Sequence, residues 1–328
     1  MRAITTIFLM ETRVVKPASW PTMMSSRRAV RLPISIVWAP TALGLSPNPL
    51  SPSHPRGTWR APAELRRAGL PSALGNPPEH ELASVADYDA RRSARTGQRN
   101  EAALATQTRE LAELLGVIIA DAHWPLVVGG DCSLLIAAGL AMRRRGRTGL
   151  VFVDGHLDFR HPGNSERLSA AAGEDLAAVT GRGLPSYTDV DGLAPYFRDE
   201  DVIALGERDG HPDAADIEQT AITVRDLETL RARGLAFGVE EVLAHFNRRE
   251  VERFWLHLDL DVLDSSEMPA VDSPQPDGLT FTELPRLIAP LATHPGCVGA
   301  DVTIFDPELA PPGLSERLVG LIARCVSS

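Results

Sequence analysis

The stretch LVFVDGHLD, from Leu150 to Asp158, begins with an apolar run and ends with Asp154, His156 and Asp158 at alternate positions. Alternation with a period of two places these three side chains on one face of an extended segment. The four apolar residues before the first acid are typical of a strand that is buried on both sides in a parallel sheet. We therefore expect the three polar side chains at the carboxyl end of such a strand.

A second stretch, FWLHLDLDVLD, runs from Phe254 to Asp264 and repeats this design. His257, Asp259 and Asp261 alternate along it, while leucines occupy the other face. Ligands of open α/β sheets bind outside the carboxyl ends of the strands. The two stretches together predict a binding site at that edge of the sheet.

The aspartates of the two stretches would repel one another at one sheet edge, and their pKa values would rise unless a cation neutralised them. Carboxylates with one or two imidazoles suit Mn, Fe or Zn. The alternative interpretation is that Asp154 and Asp261 are strand-end caps on unrelated loops. Because D-x-H-x-D together with D-x-D is a pattern of metal ligands, the pair of stretches favours a metal site.

Composition limits the class of protein. A chain of 328 residues with 44% hydrophobic content can form one large α/β domain or two small ones. The net charge of −10 argues against nucleic acid or an anionic membrane as the main partner, and no apolar run reaches transmembrane length. The three cysteines are odd in number and widely spaced, which predicts a cytoplasmic protein without a disulfide framework.

Apolar strand-like runs, including 34–39 and 202–205, alternate from Ile34 to Val326 with predicted helices, including one near 213–219 and one over 314–326. This alternation predicts an α/β fold, with a mainly parallel sheet and helices on both faces. Residues 71–97 have weak periodicity, and we expect them to be mostly loop. Residues 1–33 are rich in basic side chains and contain no long periodic segment. We expect a disordered N-terminal extension there, with a targeting peptide as the less favoured alternative, followed by one catalytic domain over residues 34–328.

Three motifs in order carry a family resemblance: GGDCS at Gly129–Ser133, VDGHLD at Val153–Asp158, and HLDLDVLD at His257–Asp264, followed by MPAVDSPQPDGLTFTE. With them the chain resembles the arginase and agmatinase (ureohydrolase) family from about Ile34 to the last helix. The resemblance implies a three-layer α/β/α domain. It also implies paired Mn²⁺ ions that activate water for hydrolysis of a guanidino carbon, with release of urea and an amine.

The resemblance also assigns residues. Asp154 and Asp259 would bridge two ions, His156 and Asp261 would complete one site, and Asp158 would serve the other site and the catalysis. Ser273, in the motif that follows Asp264, would contact the substrate. A small guanidino substrate and a homo-oligomer are further implications.

The first departure from the family pattern is Cys132, which stands where GGDHS has a histidine ligand. A thiolate is a soft ligand and Mn²⁺ a hard ion, so this site should bind Mn²⁺ weakly or prefer a softer ion such as Zn²⁺. We therefore expect one firmly held ion, at His156 and Asp261. Alternatively, Cys132 is a small buried residue that fills space.

Two further departures affect substrate handling. Arginases place a proton-shuttling histidine where this chain has Ala172, and His161 is the nearest substitute, although it could equally be an ordinary loop histidine. The family's acidic residue that holds the guanidinium is replaced by Ile304. Either Asp306, two residues on, takes over this role, or the substrate is not a plain guanidinium.

The substitution of Cys132 and the PDG at 276–278 also resemble, locally, the hydroxyarginine hydrolases of antibiotic biosynthesis, which suggests a hydroxyguanidine or a guanidino group on a natural product. Three alternatives stay open: hydrolysis of another amidine or amide C–N bond, a non-catalytic relative, and a covalent mechanism through Cys132. The covalent mechanism is the weakest, because no histidine neighbours Cys132 in the sequence to lower its pKa.

Overall fold

The fold is described by a computed structural model over residues 32–82, 87–166, 168–208 and 216–327. Eight strands form one sheet in the order β2-β1-β3-β8-β7-β4-β5-β6, and every neighbouring pair is parallel. The strands are β1 Ile34–Ala39, β2 Glu79–Glu81, β3 Trp124–Gly129, β4 Gly149–Val153, β5 Val202–Leu205, β6 Thr223–Arg225, β7 Phe254–Asp259 and β8 Cys297–Thr303.

Helices connect the strands, as parallel pairing requires. They are α1 Ala61–Arg67, α2 Leu70–Ala73, α3 Glu101–Ala120, α4 Leu134–Arg145, α5 Asp175–Val179, α6 Pro185–Thr188, α7 Leu227–Arg233, α8 Leu235–Arg248, α9 Leu284–Ala292 and α10 Leu314–Val326. Short 3-10 turns lie between them, including Leu260–Val262 directly after β7.

Two hydrophobic clusters lie on opposite faces of the sheet and define three layers. One cluster packs α1, α2 and α7 to α10 against strand residues such as Val151 and Val153. The other packs α3 to α6 against the alternate strand residues, such as Leu150 and Phe152. Both faces of the strands are therefore covered, which explains why their sequences are continuous apolar runs. The predicted three-layer α/β/α architecture is confirmed.

The three motifs lie at the carboxyl ends of neighbouring central strands. β3, β8, β7 and β4 are adjacent in the sheet. GGDCS follows β3, VDGHLD follows β4, and HLDLDVLD spans the end of β7. Residues that are more than 100 positions apart in sequence therefore meet at one edge, where a ligand site of an open parallel sheet is expected.

Some predicted elements have different bounds or were missed. The segment 71–97, expected to be mostly loop, contains part of α2 and the edge strand β2. The helix expected near 213–219 lies partly outside the described residues, and its described part is a 3-10 turn, Ile217–Gln219. The predicted N-terminal extension lies outside them except for Leu32 and Pro33. Among the described residues, no helix is both long and apolar enough to span a bilayer.

Candidate active site

The turn from β3 into α4 carries Cys132 to the sheet edge. A Cβ on Gly130 would lie 2.0 Å from the carbonyl oxygen of Thr41, so only glycine allows the two backbones to approach this closely. The Cys132 Sγ is buried and donates to Asp259 Oδ2 at 2.7 Å, with Thr303 Oγ1 at 3.1 Å. Burial, and then the charge of Asp259, raise the pKa of Cys132 well above its usual value. Without a metal the thiol therefore stays protonated.

The end of β4 contributes Asp154 and His156. The strand ends at Val153, so the turn that follows, rather than strand alternation, brings these side chains together. The His156 backbone N–H donates to Asp154 Oδ1 at 2.7 Å. His156 Nδ1 lies 2.9 Å from Asp261 Oδ2 and 3.6 Å from Asp154 Oδ1. Burial disfavours the charged imidazole, but the bonds to the two carboxylates outweigh it and raise the pKa of His156 to about 12.

The end of β7 contributes Asp259 and Asp261. Asp259 Oδ1 accepts from the backbone N–H of Asp261 at 2.7 Å, which caps the 3-10 turn after the strand. Asp261 Oδ1 accepts from the backbone N–H of Gly155 at 3.1 Å, which ties this turn to the loop after β4. One donor atom each from Asp154, His156 and Asp261 lie within 4.8 Å of one another.

These residues fit a divalent cation. Asp154 Oδ2 is buried and has no hydrogen-bond partner in the described part of the chain. Burial, and then the charges of Asp261 and Asp158, raise the pKa of Asp154 well above its usual value, and Asp259 is raised for similar reasons. A buried carboxylate without a partner is costly, and a metal ion would remove that cost. Oxygen donors with one imidazole suit Mn²⁺ and also accept Zn²⁺.

Asp158 stands at the rim of this cluster with a left-handed backbone, φ 42°. Aspartate tolerates this conformation better than most side chains. The pKa of Asp158 is raised to about 6. Burial is the largest cause, the charge of His156 opposes it, and the charge of Asp261 adds to it. Its carboxyl group therefore exchanges a proton close to neutral pH.

A cavity of about 440 Å³ opens beside the cluster. Most of the predicted metal ligands and Ser273 line it, and Asp154 lies buried behind them. The residues that contribute side chains to its wall include Arg56, Cys132, His156, Asp158, Arg160, Ala172, Asp259, Asp261, Asp272, Ser273, Gln275 and Ile304. The volume suits a small molecule of the size that single enzyme pockets bind.

Residues 42–327 match the model of the arginase family. The chain belongs to the arginase family. The arginase of Bacillus caldovelox is 29% identical over 289 residues, which cover 84% of this chain and 92% of that protein. The formimidoylglutamase of Aeromonas salmonicida is 24% identical over 218 residues, 65% of each chain. The native structure of the Bacillus caldovelox arginase superposes with a TM-score of 0.80 at 25% identity, covering 90% of this chain and 99% of that one.

Two predicted site residues of this arginase-family protein lie outside the cavity wall. His161 Nε2 lies 2.9 Å from Asp216 Oδ2, and its Nδ1 accepts from the backbone N–H of Gly163 at 3.1 Å, so both ring nitrogens are engaged elsewhere. Asp306 accepts from the backbone N–H groups of Gly57 and Glu308, each at 2.9 Å. Its carboxylate therefore holds a loop and a turn. The structure therefore brings neither His161, the predicted proton shuttle, nor Asp306, the predicted substrate contact, into this cavity wall.

A buried polar layer beneath the metal cluster escaped the sequence analysis. His257 Nδ1 hydrogen-bonds to Asp301, which also accepts from the Trp255 indole N–H. His257 Nε2 lies 3.8 Å from an oxygen of Asp175, whose carboxylate is fully buried. The alternation had placed His257 with the ligands, but it stacks on Phe152 inside the domain, with ring centroids 4.9 Å apart. No motif near Asp175 indicated this contact.

Sequence reasoning also missed charged residues of the cavity wall. Arg56 Nε lies 2.6 Å from Asp272 Oδ1. Arg160 is held by a hydrogen bond from its Nε to the carbonyl oxygen of Gly173 at 3.0 Å. Asp272 directly precedes Ser273 in the stretch MPAVDSPQPDGLTFTE that follows the third motif, so that stretch was the available signal. Arginine and carboxylate side chains in one pocket indicate a polar, charged ligand.

Proposed function

We propose that this chain is a metal-dependent hydrolase that cleaves a C–N bond of a guanidino or hydroxyguanidino group. It would release urea or hydroxyurea and an amine. The observation that supports this most is the cluster of Asp154, His156 and Asp261 donor atoms, within 4.8 Å of one another, beside a cavity of about 440 Å³. Membership of the arginase family supports the reaction class.

Mn²⁺ is the cofactor we propose, held firmly by Asp154, His156, Asp259 and Asp261. A second site beside Asp158 and Cys132 is weakened, because a protonated thiol must first lose its proton before it can bind a metal. Zn²⁺ is the alternative ion, since it accepts thiolate more readily. When bound, the ion would supply a water molecule acidic enough to attack at neutral pH.

The chain's own residues manage the proton and the substrate. In the hydrolysis the water oxygen bonds to the amidino carbon, the C–N bond to the rest of the substrate breaks, and a proton must reach the leaving nitrogen. We assign proton acceptance and return to the Asp158 carboxylate, because it lines the cavity beside the ligand cluster, where it is within reach of a metal-activated water. Ser273, in the cavity wall, is the proposed polar contact for the substrate.

A second candidate is hydrolysis of another amidine or amide C–N bond. The observation that favours it is Ile304, which lines the cavity where an acidic residue would otherwise receive a guanidinium. An apolar wall at this point tolerates a less cationic group. A modified guanidine from specialised metabolism, such as a hydroxyguanidine, lies between the two candidates.

The first test is metal content per chain after dialysis against Mn²⁺ and then against buffer, with Asp259→Ala as the control. We expect the wild type to retain at least one ion and the variant to retain none, because Asp259 lies in the ligand cluster. Urea and hydroxyurea release from a panel of guanidines and hydroxyguanidines then tests the reaction. A wild-type protein that retains no metal would contradict the proposed function.

A further inference from the structure

The cavity wall near the metal cluster is apolar where a cationic substrate needs a counter-charge. Ile304 is 3% exposed and has φ 73°, a conformation that costs a β-branched residue energy. Its backbone N–H donates to Gly130 O at 2.7 Å, which holds it in place. Asp306 is the nearest acidic residue in the sequence, but its carboxylate accepts from two backbone N–H groups outside the cavity wall. It therefore does not supply a negative charge to the cavity beside Ile304.

Asp272 supplies a carboxylate from another direction. It lines the same cavity as Ile304 and Cys132. His156 and Asp261 line this cavity too, so Asp272 lies beside the metal-ligand cluster. The Ser273 hydroxyl lies 3.3 Å from Asp272 Oδ2 and orients that oxygen. A carboxylate in this position can face the cationic end of a substrate whose reacting carbon lies at the cluster.

The present partner of Asp272 is itself a guanidinium. Arg56 Nε lies 2.6 Å from Asp272 Oδ1, and each side chain is 23% exposed. Neither of these two atoms has an aligned hydrogen bond in the described part of the chain. Arg–Asp bridges frequently make two parallel hydrogen bonds, as Arg182 and Asp199 do at 2.8 and 2.5 Å, and the Arg56–Asp272 contact has no such pair. The Arg56 contact therefore leaves Asp272 able to exchange partners.

We propose that Asp272 binds the cationic amidino group of the substrate, and that Arg56 pairs with it when the cavity holds no substrate. This inference rests on the proposed function and narrows it to substrates that carry a protonated guanidine or amidine. Asp272 takes the role that the family resemblance assigns to the position of Ile304. Arg56 is a competitor for the same carboxylate and is displaced when the substrate enters.

The test compares Asp272→Asn, Arg56→Gln and the matched control Asp199→Asn, all loaded with Mn²⁺. Binding of n-butylguanidinium and of neutral n-butylurea is measured by calorimetry. KM and kcat are measured for urea release from n-butylguanidinium. We expect Asp272→Asn to weaken n-butylguanidinium binding at least tenfold and to leave n-butylurea binding unchanged. Arg56→Gln should leave n-butylguanidinium binding unchanged or tighten it several-fold, because the competing guanidinium is gone. Asp199→Asn should change neither.

The opposite effects of the two partners separate this proposal from a structural ion pair. If Asp272→Asn and Arg56→Gln each weaken the binding of n-butylguanidinium and of n-butylurea equally, the ion pair is structural and the proposal is overturned. If urea release persists in Asp272→Asn with an unchanged KM, the hydrolytic function stands and the role of Asp272 fails. If the wild type releases no urea but binds n-butylguanidinium through Asp272, the hydrolytic function fails and the binding role stands.

The metal content of each variant checks that the site is folded. If Asp272→Asn is unstable, Asp272→Ser repeats the test.

Discussion

At the scale of the residue, we propose that the Cys132 thiol sets how many ions the site of this arginase-family protein holds. The thiol donates to Asp259 at 2.7 Å, which satisfies that carboxylate without a metal. Binding an ion next to Cys132 must break this bond and remove the thiol proton, whose pKa burial raises. We therefore propose that a thiol at this position, in place of an imidazole, weakens one metal site and leaves the donor cluster around His156 unchanged.

Cys132→His should restore the weakened site. We expect the variant to retain close to two Mn²⁺ ions per chain, with affinity for the second ion raised roughly tenfold or more, because an imidazole suits a divalent ion such as Mn²⁺ better than a soft thiolate does. Metal analysis and competition with a fluorescent chelator measure this. Cys325→Ala, a buried cysteine in α10, should leave the metal content unchanged. Two tightly held Mn²⁺ ions in the wild type would contradict the prediction.

Asp158 should control the acidic limb of the pH profile. Its carboxylate accepts a proton only when ionised, so the rate should rise with pH through a pKa at or below about 6, since a nearby cation lowers this pKa. Asp158→Asn should lower kcat by about 10²–10⁴ and abolish this limb. Steady-state rates from pH 4.5 to 9 check both effects. His161→Ala, outside the cavity wall, should change neither, and a shifted profile in that variant would return His161 to the mechanism.

At the scale of elements, the turn between β3 and α4 sets where the cavity wall lies. A Cβ on Gly130 would meet the backbone of Thr41 at 2.0 Å, and neither backbone is a flexible side-chain end that could give way. The backbone N–H of Ile304 donates to the carbonyl oxygen of Gly130 in the same turn. Three segments that are distant in sequence are therefore tied together at this glycine.

Gly130→Ala should destabilise the protein by about 1–3 kcal/mol, because the added methyl group forces the two backbones apart. Gly116→Ala in α3 is the matched control, since a Cβ there meets nothing within 4 Å. The control should be stabilised by roughly 0.4–1 kcal/mol, because alanine restricts the unfolded chain. Urea unfolding gives both free energies, and equal stability of the two variants would refute the packing argument.

The elements that the sequence predicted are those with long apolar patterns of their own. β1, β5 and α10 have the predicted bounds, 34–39, 202–205 and 314–326, because each is a buried run or an amphipathic helix. β2 has the sequence EHE and no such pattern. It forms a strand because its backbone pairs with β1 at the sheet edge, and this tertiary contact leaves no periodic signal.

The candidate site also contains residues that the sequence predicts and residues that only tertiary contacts bring into place. The aspartates at the ends of β4 and β7 were predictable, because strand ends in a parallel sheet converge on one edge. The sequence indicates His161 by its closeness to Asp158, and Asp306 by its closeness to Ile304. The loop paths take these two side chains to Asp216 and to the backbone of Gly57 instead. Asp272 reaches the cavity through a loop whose course depends on tertiary contacts, so sequence spacing did not reveal it.

At the scale of the whole molecule, burying the carboxylates of the ligand cluster is electrostatically unfavourable, and a bound cation would offset this unfavourable free energy. Buried carboxylates with raised pKa values, among them Asp154, Asp175 and Asp259, surround the site in the metal-free state. An ion that binds only the native state stabilises it by mass action. We therefore expect the stability of the domain to depend on the metal concentration.

Chelation should therefore lower the melting temperature. Free Mn²⁺ at one hundred times its dissociation constant should add about 2.7 kcal/mol to the free energy of unfolding. Calorimetric melting with EDTA, and with increasing Mn²⁺, measures the effect. Asp259→Ala should melt at the same temperature in both conditions. A wild-type melting temperature that is independent of Mn²⁺ would mean that the folded protein does not bind the ion.

The position of β8 in the sheet has a consequence for biosynthesis. β8, residues 297–303, lies between β3 and β7 and comes last of the eight strands. Until the ribosome has made it, β3 and β7 present unpaired inner edges, which are templates for association with other chains. The central strands therefore cannot complete the sheet until β8 has been made, and during that interval the nascent chain is more open to association with other chains than a sheet built in chain order would be.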